Sequence, residues 1–280
     1  MTSARAAGRG RRMWVAAFVG GVALFALTGC SLDDVPNQIA IPDPVTDSGD
    51  RIFHLWQATW VALWAIGIFT WALMLGAAFW FRRRREDYVP KQTRYNLPIE
   101  VMYTVTPLIV ILVFAWPTIR DSDIITEVSG EQDQTINVVG YQWEWGFNYI
   151  DEDVYSVGSP ADPPTLYLPV DQKTQFVLTS PDVIHSFWVP DFLFKLDVVP
   201  GRANTFELVP TDEGRYEGKC AEMCGTYHSQ MLFWVEVVDQ ATFDAKMEEL
   251  REAGQTGQLE TGRPDTGAND LGKTRIGDDS

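Results

Sequence analysis

Cys220, Cys224, His228 and Met231 fall within twelve consecutive positions, and His185 lies 35 positions upstream of the first cysteine. Two thiols, two imidazoles and a thioether suit copper, and a long methionine contact is typical of electron-transfer copper sites. A single-copper site of that kind uses one cysteine, so the extra thiolate four residues earlier points to two ions sharing both sulfurs. Each copper then takes one histidine, with the carbonyl of Glu222 and the sulfur of Met231 as weak further donors. One electron delocalised over two metals changes bond lengths little, which suits electron transfer rather than substrate chemistry. Zinc also takes two cysteines with two histidines, but its usual paired spacings are missing here and Met231 would have no role. The plain alternative is a disulfide, since two nearby cysteines in an oxidising exterior readily pair. A bridge closing so small a loop stabilises little through chain entropy.

Such a donor set needs a rigid body. Past residue 130 the chain becomes short β-rich runs between turn residues, clearest at 135–141, 165–168, 174–179, 186–189, 204–209 and 231–238. Regular short strands predict an antiparallel sandwich or barrel. Residues 243–253 read as an amphipathic helix with Phe243, Met247 and Leu250 on one face. From Gly254 onward apolar residues nearly vanish, so 254–280 is expected to be a disordered tail.

Upstream, residues 55–81 carry no charge for 27 positions, enough to cross a hydrocarbon layer of about 30 Å. The run ends at Arg82, Arg83, Arg84 and Arg85, a cytoplasmic marker. A second apolar run at 101–119 contains Pro107 and Pro117, which membrane helices tolerate. The first thirty residues read as a secretory signal with a basic start and a short apolar core. It closes on Leu27-Thr28-Gly29-Cys30, which resembles a lipoprotein cleavage site and makes Cys30 the expected lipidated N-terminus. The expected order is a signal (1–29), an exterior segment (30–54), a two-helix transmembrane hairpin (55–119), a β domain (120–239), a helix (240–253) and the tail. The β domain then lies on the exterior face of a bacterial cell membrane. Glu100, at the cytoplasmic start of the second span, reads either as an interfacial acid facing water or as part of a proton route. His54 reads as an interfacial side chain before the first span.

Charge divides along the same line. Residues 1–95 carry 11 Lys and Arg against 7 Asp and Glu, whereas residues 120–280 carry 11 against 30. An acidic exterior body repels nucleic acid and speeds encounter with basic partners.

Cys220, Cys224, His228 and Met231, spaced Cys-x3-Cys-x3-His-x2-Met, resemble the CuA motif of cytochrome c oxidase subunit 2. The resemblance spans nearly the whole mature chain. It includes Asp182 to Pro190 around His185, Leu196 to Arg202, Ile99 to Pro107 at the second span, and the aromatic run Gly140 to Trp145. It implies a two-helix membrane hairpin carrying an all-β cupredoxin-like Greek-key barrel. The copper ligands it implies are His185, Cys220, Glu222, Cys224, His228 and Met231. It makes Trp143 the residue at which electrons arrive from a c-type cytochrome, whereas Trp145 reads as barrel packing. The Glu222 side chain is expected to help bind magnesium at the boundary with the catalytic subunit, a hard oxygen donor suiting that ion. Glu100 matches the acid at the mouth of a proton channel. The implied partners are a haem-containing oxidase subunit 1, other oxidase subunits and the donor cytochrome. The implied activity is that of a proton-pumping terminal oxidase.

Rival readings keep parts of this picture. Quinol oxidase subunit 2 shares the architecture and often the lipoprotein signal, but typically lacks the copper ligands. The copper domain of a nitrous oxide reductase would be soluble and joined to a large catalytic domain. A copper-delivery lipoprotein would need neither two spans nor the aromatic run.

Overall fold

The computed structural model of the chain describes residues 41–82 and 92–259. The expected signal with Cys30, the turn at Arg83 to Arg85 and the tail from residue 260 lie outside the described residues.

Two long helices come first. Helix α1 (Asp47–Trp80) starts where the Thr46 hydroxyl accepts the Gly49 amide at 3.0 Å, with Asp47 and Asp50 at its positive end. Helix α2 (Leu97–Thr126) starts at Asn96, whose side chain accepts the Ile99 amide. The Glu100 carboxylate reaches back to accept the Asn96 amide at 2.9 Å, so the two form a reciprocal cap. Both helices are long and apolar enough to cross a membrane, and both extend past the apolar runs read from the sequence. They pack together, and the Asp47 end of α1 and the Thr126 end of α2 meet the β domain. There the Asp47 carboxylate accepts the Val209 amide at 2.9 Å, and the Asp47 amide donates to the Val209 carbonyl at 3.1 Å. The Glu207 carboxylate accepts from the Ser129 and Gly130 amides just after α2.

The β domain is two facing five-stranded sheets. One has the order β3 (Val154–Val157), β2 (Glu144–Tyr149), β1 (Gln134–Tyr141), β5 (Thr174–Thr179), β8 (Asn204–Leu208). The other has the order β4 (Thr165–Pro169), β10 (Leu232–Val238), β9 (Gly214–Cys220), β6 (His185–Val189), β7 (Phe194–Val198). Neighbours are antiparallel except β1 with β5 and β4 with β10. The sheet expected to be wholly antiparallel is therefore mixed, because β4 and β5 leave on crossovers between the layers.

Period-two alternation drives one set of side chains inward. Phe233, Val235 and Val237 of β10 are buried while Trp234 and Glu236 face out. Phe187 stacks on Phe233 with ring centroids 5.0 Å apart, Phe176 stacks on Phe206 at 4.8 Å, and Trp145 meets Phe233 edge-on. Removing one such ring typically costs about 3–5 kcal/mol. Gly218 makes room for this cluster, since a Cβ there would overlap the Phe233 ring.

Helix α3 (Gln240–Glu252) is capped by Asp239, whose carboxylate accepts the Thr242 amide at 3.0 Å, and it buries Phe243 and Met247. The chain beyond it stays ordered further than composition suggests. The Tyr155 amide donates to Gln255, the Gly257 amide to Asp153, and the Leu259 amide to the Asn148 side chain at 2.8 Å. Residues 255–259 thus strap the outside of β2 and β3, where main-chain pairing overrides a composition poor in apolar groups.

Candidate metal centre

The central strands β6 and β9 end together, and that junction carries the site. Phe187 of β6 pairs with Cys220 of β9, so His185 is brought beside the last residue of β9. The loop from Cys220 to Met231 is closed at its base by the Cys220 amide donating to the Met231 carbonyl at 3.1 Å. The Ala221 amide ties the loop to Ser186 of β6 at 3.0 Å. A short 3-10 turn, His228–Gln230, directs His228 and Met231 back toward the cysteines.

The donor atoms converge. Cys220 Sγ lies 3.9 Å from Cys224 Sγ. His185 Nδ1 stands 3.9 Å from Cys220 Sγ, and His228 Nδ1 stands 3.6 Å from Cys224 Sγ. Met231 Sδ is 3.8 Å from Cys224 Sγ, and the Glu222 carbonyl oxygen is 3.2 Å from Cys220 Sγ. The other four sequence-predicted residues, His185, Glu222, His228 and Met231, therefore surround the sulfur pair of Cys220 and Cys224, with an imidazole against each sulfur. The ligand atoms of His185, Cys220 and Cys224 lie within 4.8 Å of one another and all three residues are buried.

A disulfide is excluded in this arrangement, because bonded sulfurs stand about 2.05 Å apart. The separation fits metal instead: metal–sulfur bonds of about 2.3 Å let one ion touch both sulfurs. Soft thiolates, imidazoles and a thioether match copper in donor type.

Protonation of the metal-free site is ordered by its surroundings. Burial opposes the Cys220 thiolate, but hydrogen bonding with His185 and the Ser186 and Glu222 backbones outweighs it and brings the thiol down to about 7. Burial, and then the Cys220 charge, push Cys224 up to about 12. Burial disfavours a charged His185, yet its bonds to Cys220 and Asp182 prevail and raise it above the ordinary value. Asp182 Oδ1 accepts from His185 Nε2 at 2.9 Å, leaving the Nδ1 lone pair for a metal. Asp182 escaped notice as a functional residue in the sequence, although its place three positions before a candidate ligand histidine was a usable signal.

The other predicted residues are distributed around this centre. Trp143 is half-buried, its Nε1 donates to the Cys224 carbonyl at 3.3 Å, and Tyr227 meets its ring edge-on at 5.0 Å. Trp145 is fully buried in the core, with Nε1 donating to the Met231 carbonyl at 3.3 Å. The Glu222 side chain is exposed and accepts the Met223 amide. Glu100 sits far along the chain at the opposite end of α2, capping it.

Comparison with known proteins follows the same lines. Residues 161–238 match the family described as Cytochrome C oxidase subunit II, periplasmic domain, and residues 34–120 match its transmembrane domain. A probable cytochrome c oxidase subunit 2 of Streptomyces avermitilis is 42% identical over 291 residues, covering 90% of this chain and 91% of the relative. Its counterpart in Streptomyces coelicolor is 40% identical with the same coverage. Among solved structures, the periplasmic domain of subunit II of cytochrome oxidase (CoxB) of Bradyrhizobium japonicum is 28% identical. It covers 44% of this chain and 96% of that domain, with a TM-score of 0.41.

Proposed function

The chain belongs to the cytochrome c oxidase subunit 2 family, and from that premise we propose that it receives electrons from a c-type cytochrome and passes them to the oxygen-reducing subunit of a haem–copper oxidase. The observation that supports this most directly is the pair of unbonded sulfurs 3.9 Å apart with one imidazole against each.

Cys220 and Cys224 would hold two copper ions between them, His185 and His228 would each bind one, and the Glu222 carbonyl and Met231 would complete the shells. Bound there, the copper pair supplies a one-electron store. The chain's own contribution is rigidity: two β-strand ends and a closed loop hold the donors so that little moves when charge changes. Trp143 presents an aromatic ring one hydrogen bond from a ligand residue, on an acidic domain suited to a basic donor. The exposed Glu222 carboxylate would contribute to a magnesium site shared with the catalytic subunit. Glu100 would stand at a proton path in that subunit. Cys30 would carry a lipid, placing the copper domain on the exterior face of the membrane.

The test is paramagnetic resonance of the purified, copper-loaded oxidase. Seven-line hyperfine splitting is expected from one electron shared by two coppers. A four-line spectrum, or Cys220 disulfide-bonded to Cys224 in the native assembly, would overturn the proposal.

A further inference from the structure

Asp182 does more than orient one histidine. Its Oδ1 accepts from His185 Nε2 at 2.9 Å, the Val183 amide at 2.6 Å and the Ser180 hydroxyl at 3.1 Å. Its Oδ2 accepts the Gln142 amide at 2.7 Å. Gln142 in turn sends its side-chain Nε2 to the Cys224 carbonyl at 2.7 Å, beside the bond from Trp143 Nε1 to that same oxygen. The connections form one continuous chain. It runs from His185 through Asp182 to the main chain of Gln142, then to Trp143, and through two donors to Cys224.

A surface carboxylate has no need of four directed donors, and a turn between two strands has no need to reach across 82 residues to one carbonyl. Gly225 shows how closely this corner is built. Its φ is +126°, and a Cβ there would come within 3.0 Å of Trp143 Nε1 and 3.3 Å of Gln142 Nε2. A side chain there would crowd both donors and strain the backbone, so glycine suits this corner.

On the reading of Trp143 as the residue where electrons arrive, we infer that Asp182 and Gln142 are positioning residues that lock Trp143, His185 and Cys224 into one hydrogen-bonded unit. Two effects follow. Gln142 keeps the indole at the Cys224 carbonyl, so the path from the ring to the Cys224 sulfur runs through one hydrogen bond and a short covalent stretch. Asp182 raises the donor strength of His185 through its far nitrogen, which favours the oxidised state of whatever that histidine binds.

The experiment uses the assembled oxidase with Gln142→Leu, Asp182→Asn, Gly225→Ala and, as reference, Trp143→Ala. Electron transfer from reduced c-type cytochrome is measured over a range of donor concentrations up to saturation, together with the copper resonance spectrum and the reduction potential. Gln142→Leu and Gly225→Ala are expected to slow transfer about tenfold, equivalent to about 1.4 kcal/mol, while retaining the copper spectrum. Asp182→Asn is expected to slow transfer, raise the potential and alter the nitrogen hyperfine coupling of His185. Wild-type rates and potential in these variants, alongside a slowed Trp143→Ala, would overturn the clamp while leaving the route through Trp143 standing. An effect of Asp182→Asn confined to the KM for cytochrome would also overturn it, making the residue a docking charge only. A Trp143→Ala enzyme with unaltered transfer would instead sink the functional reading on which the clamp rests.

Discussion

Cys220 Sγ and Cys224 Sγ stand 3.9 Å apart, each with its own histidine nitrogen within 3.9 Å. Three residues separate them in the chain, yet one closes a strand and the other lies in the tight loop that follows. That geometry makes metal uptake a deprotonation. In the metal-free protein Cys224 is held up at about 12 by burial and the adjacent Cys220 charge, so near neutral pH it retains its proton. That proton must leave on loading, and any proton remaining on His185 leaves with it. Apparent copper affinity is therefore expected to rise with pH above 7, by about tenfold per unit for each proton released. Copper titrations between pH 7 and 9 with proton counting in weak buffer check this. A flat affinity would contradict it.

Gly140 sits against the ring of His185, and a Cβ there would lie 3.1–3.3 Å from three of its carbons. The imidazole is held at Nε2 by Asp182, so it has little room to yield. Gly140→Ala is expected to weaken copper retention and to destabilise the domain by about 1–3 kcal/mol, the usual range for overpacking. Copper content after dialysis against a chelator, and a thermal melt, measure the two effects.

The strap after α3 is testable by truncation. Ending the chain at Leu259 keeps the bonds from Tyr155, Gly257 and Leu259, whereas ending it at Gly254 removes them and uncovers Asn148. The shorter form is expected to be less stable than the longer by about 2 kcal/mol, from several hydrogen bonds at about 0.5–1.5 kcal/mol each. Equal melting temperatures would show that the strap contributes nothing.

The cap that Glu100 forms and the proton role proposed for it are separable. Its carboxylate caps α2 by accepting the Asn96 amide, which Glu100→Gln preserves and Glu100→Ala abolishes. If the acid also feeds protons to the partner subunit, both variants are expected to lower turnover. A Gln variant with full turnover and pumping leaves only the cap.

Much of this molecule was legible in the linear order. Apolar runs of 27 and 19 residues, about enough to cross a bilayer and separated by four arginines, specify two spans because charge is costly in hydrocarbon. The Cys-x3-Cys-x3-His-x2-Met spacing specifies a sulfur-rich metal loop, since one short loop can turn all four side chains to one point. Less legible were β2, β3, β7 and β9. In β9, Gly214–Cys220, charged side chains alternate with glycine and tyrosine, and the strand exists because β10 and β6 pair with it on both sides. Likewise 255–259 looked like tail, because its order comes from the amides of β3 and the side chain of Asn148 rather than from apolar content. Only the tertiary structure joined His185 to a loop 35 residues away, through the pairing of Phe187 with Cys220. It alone brought Asp182 and Gln142 together beside that site, because hydrogen bonds across 40 and 82 residues depend on sheet register rather than on local spacing.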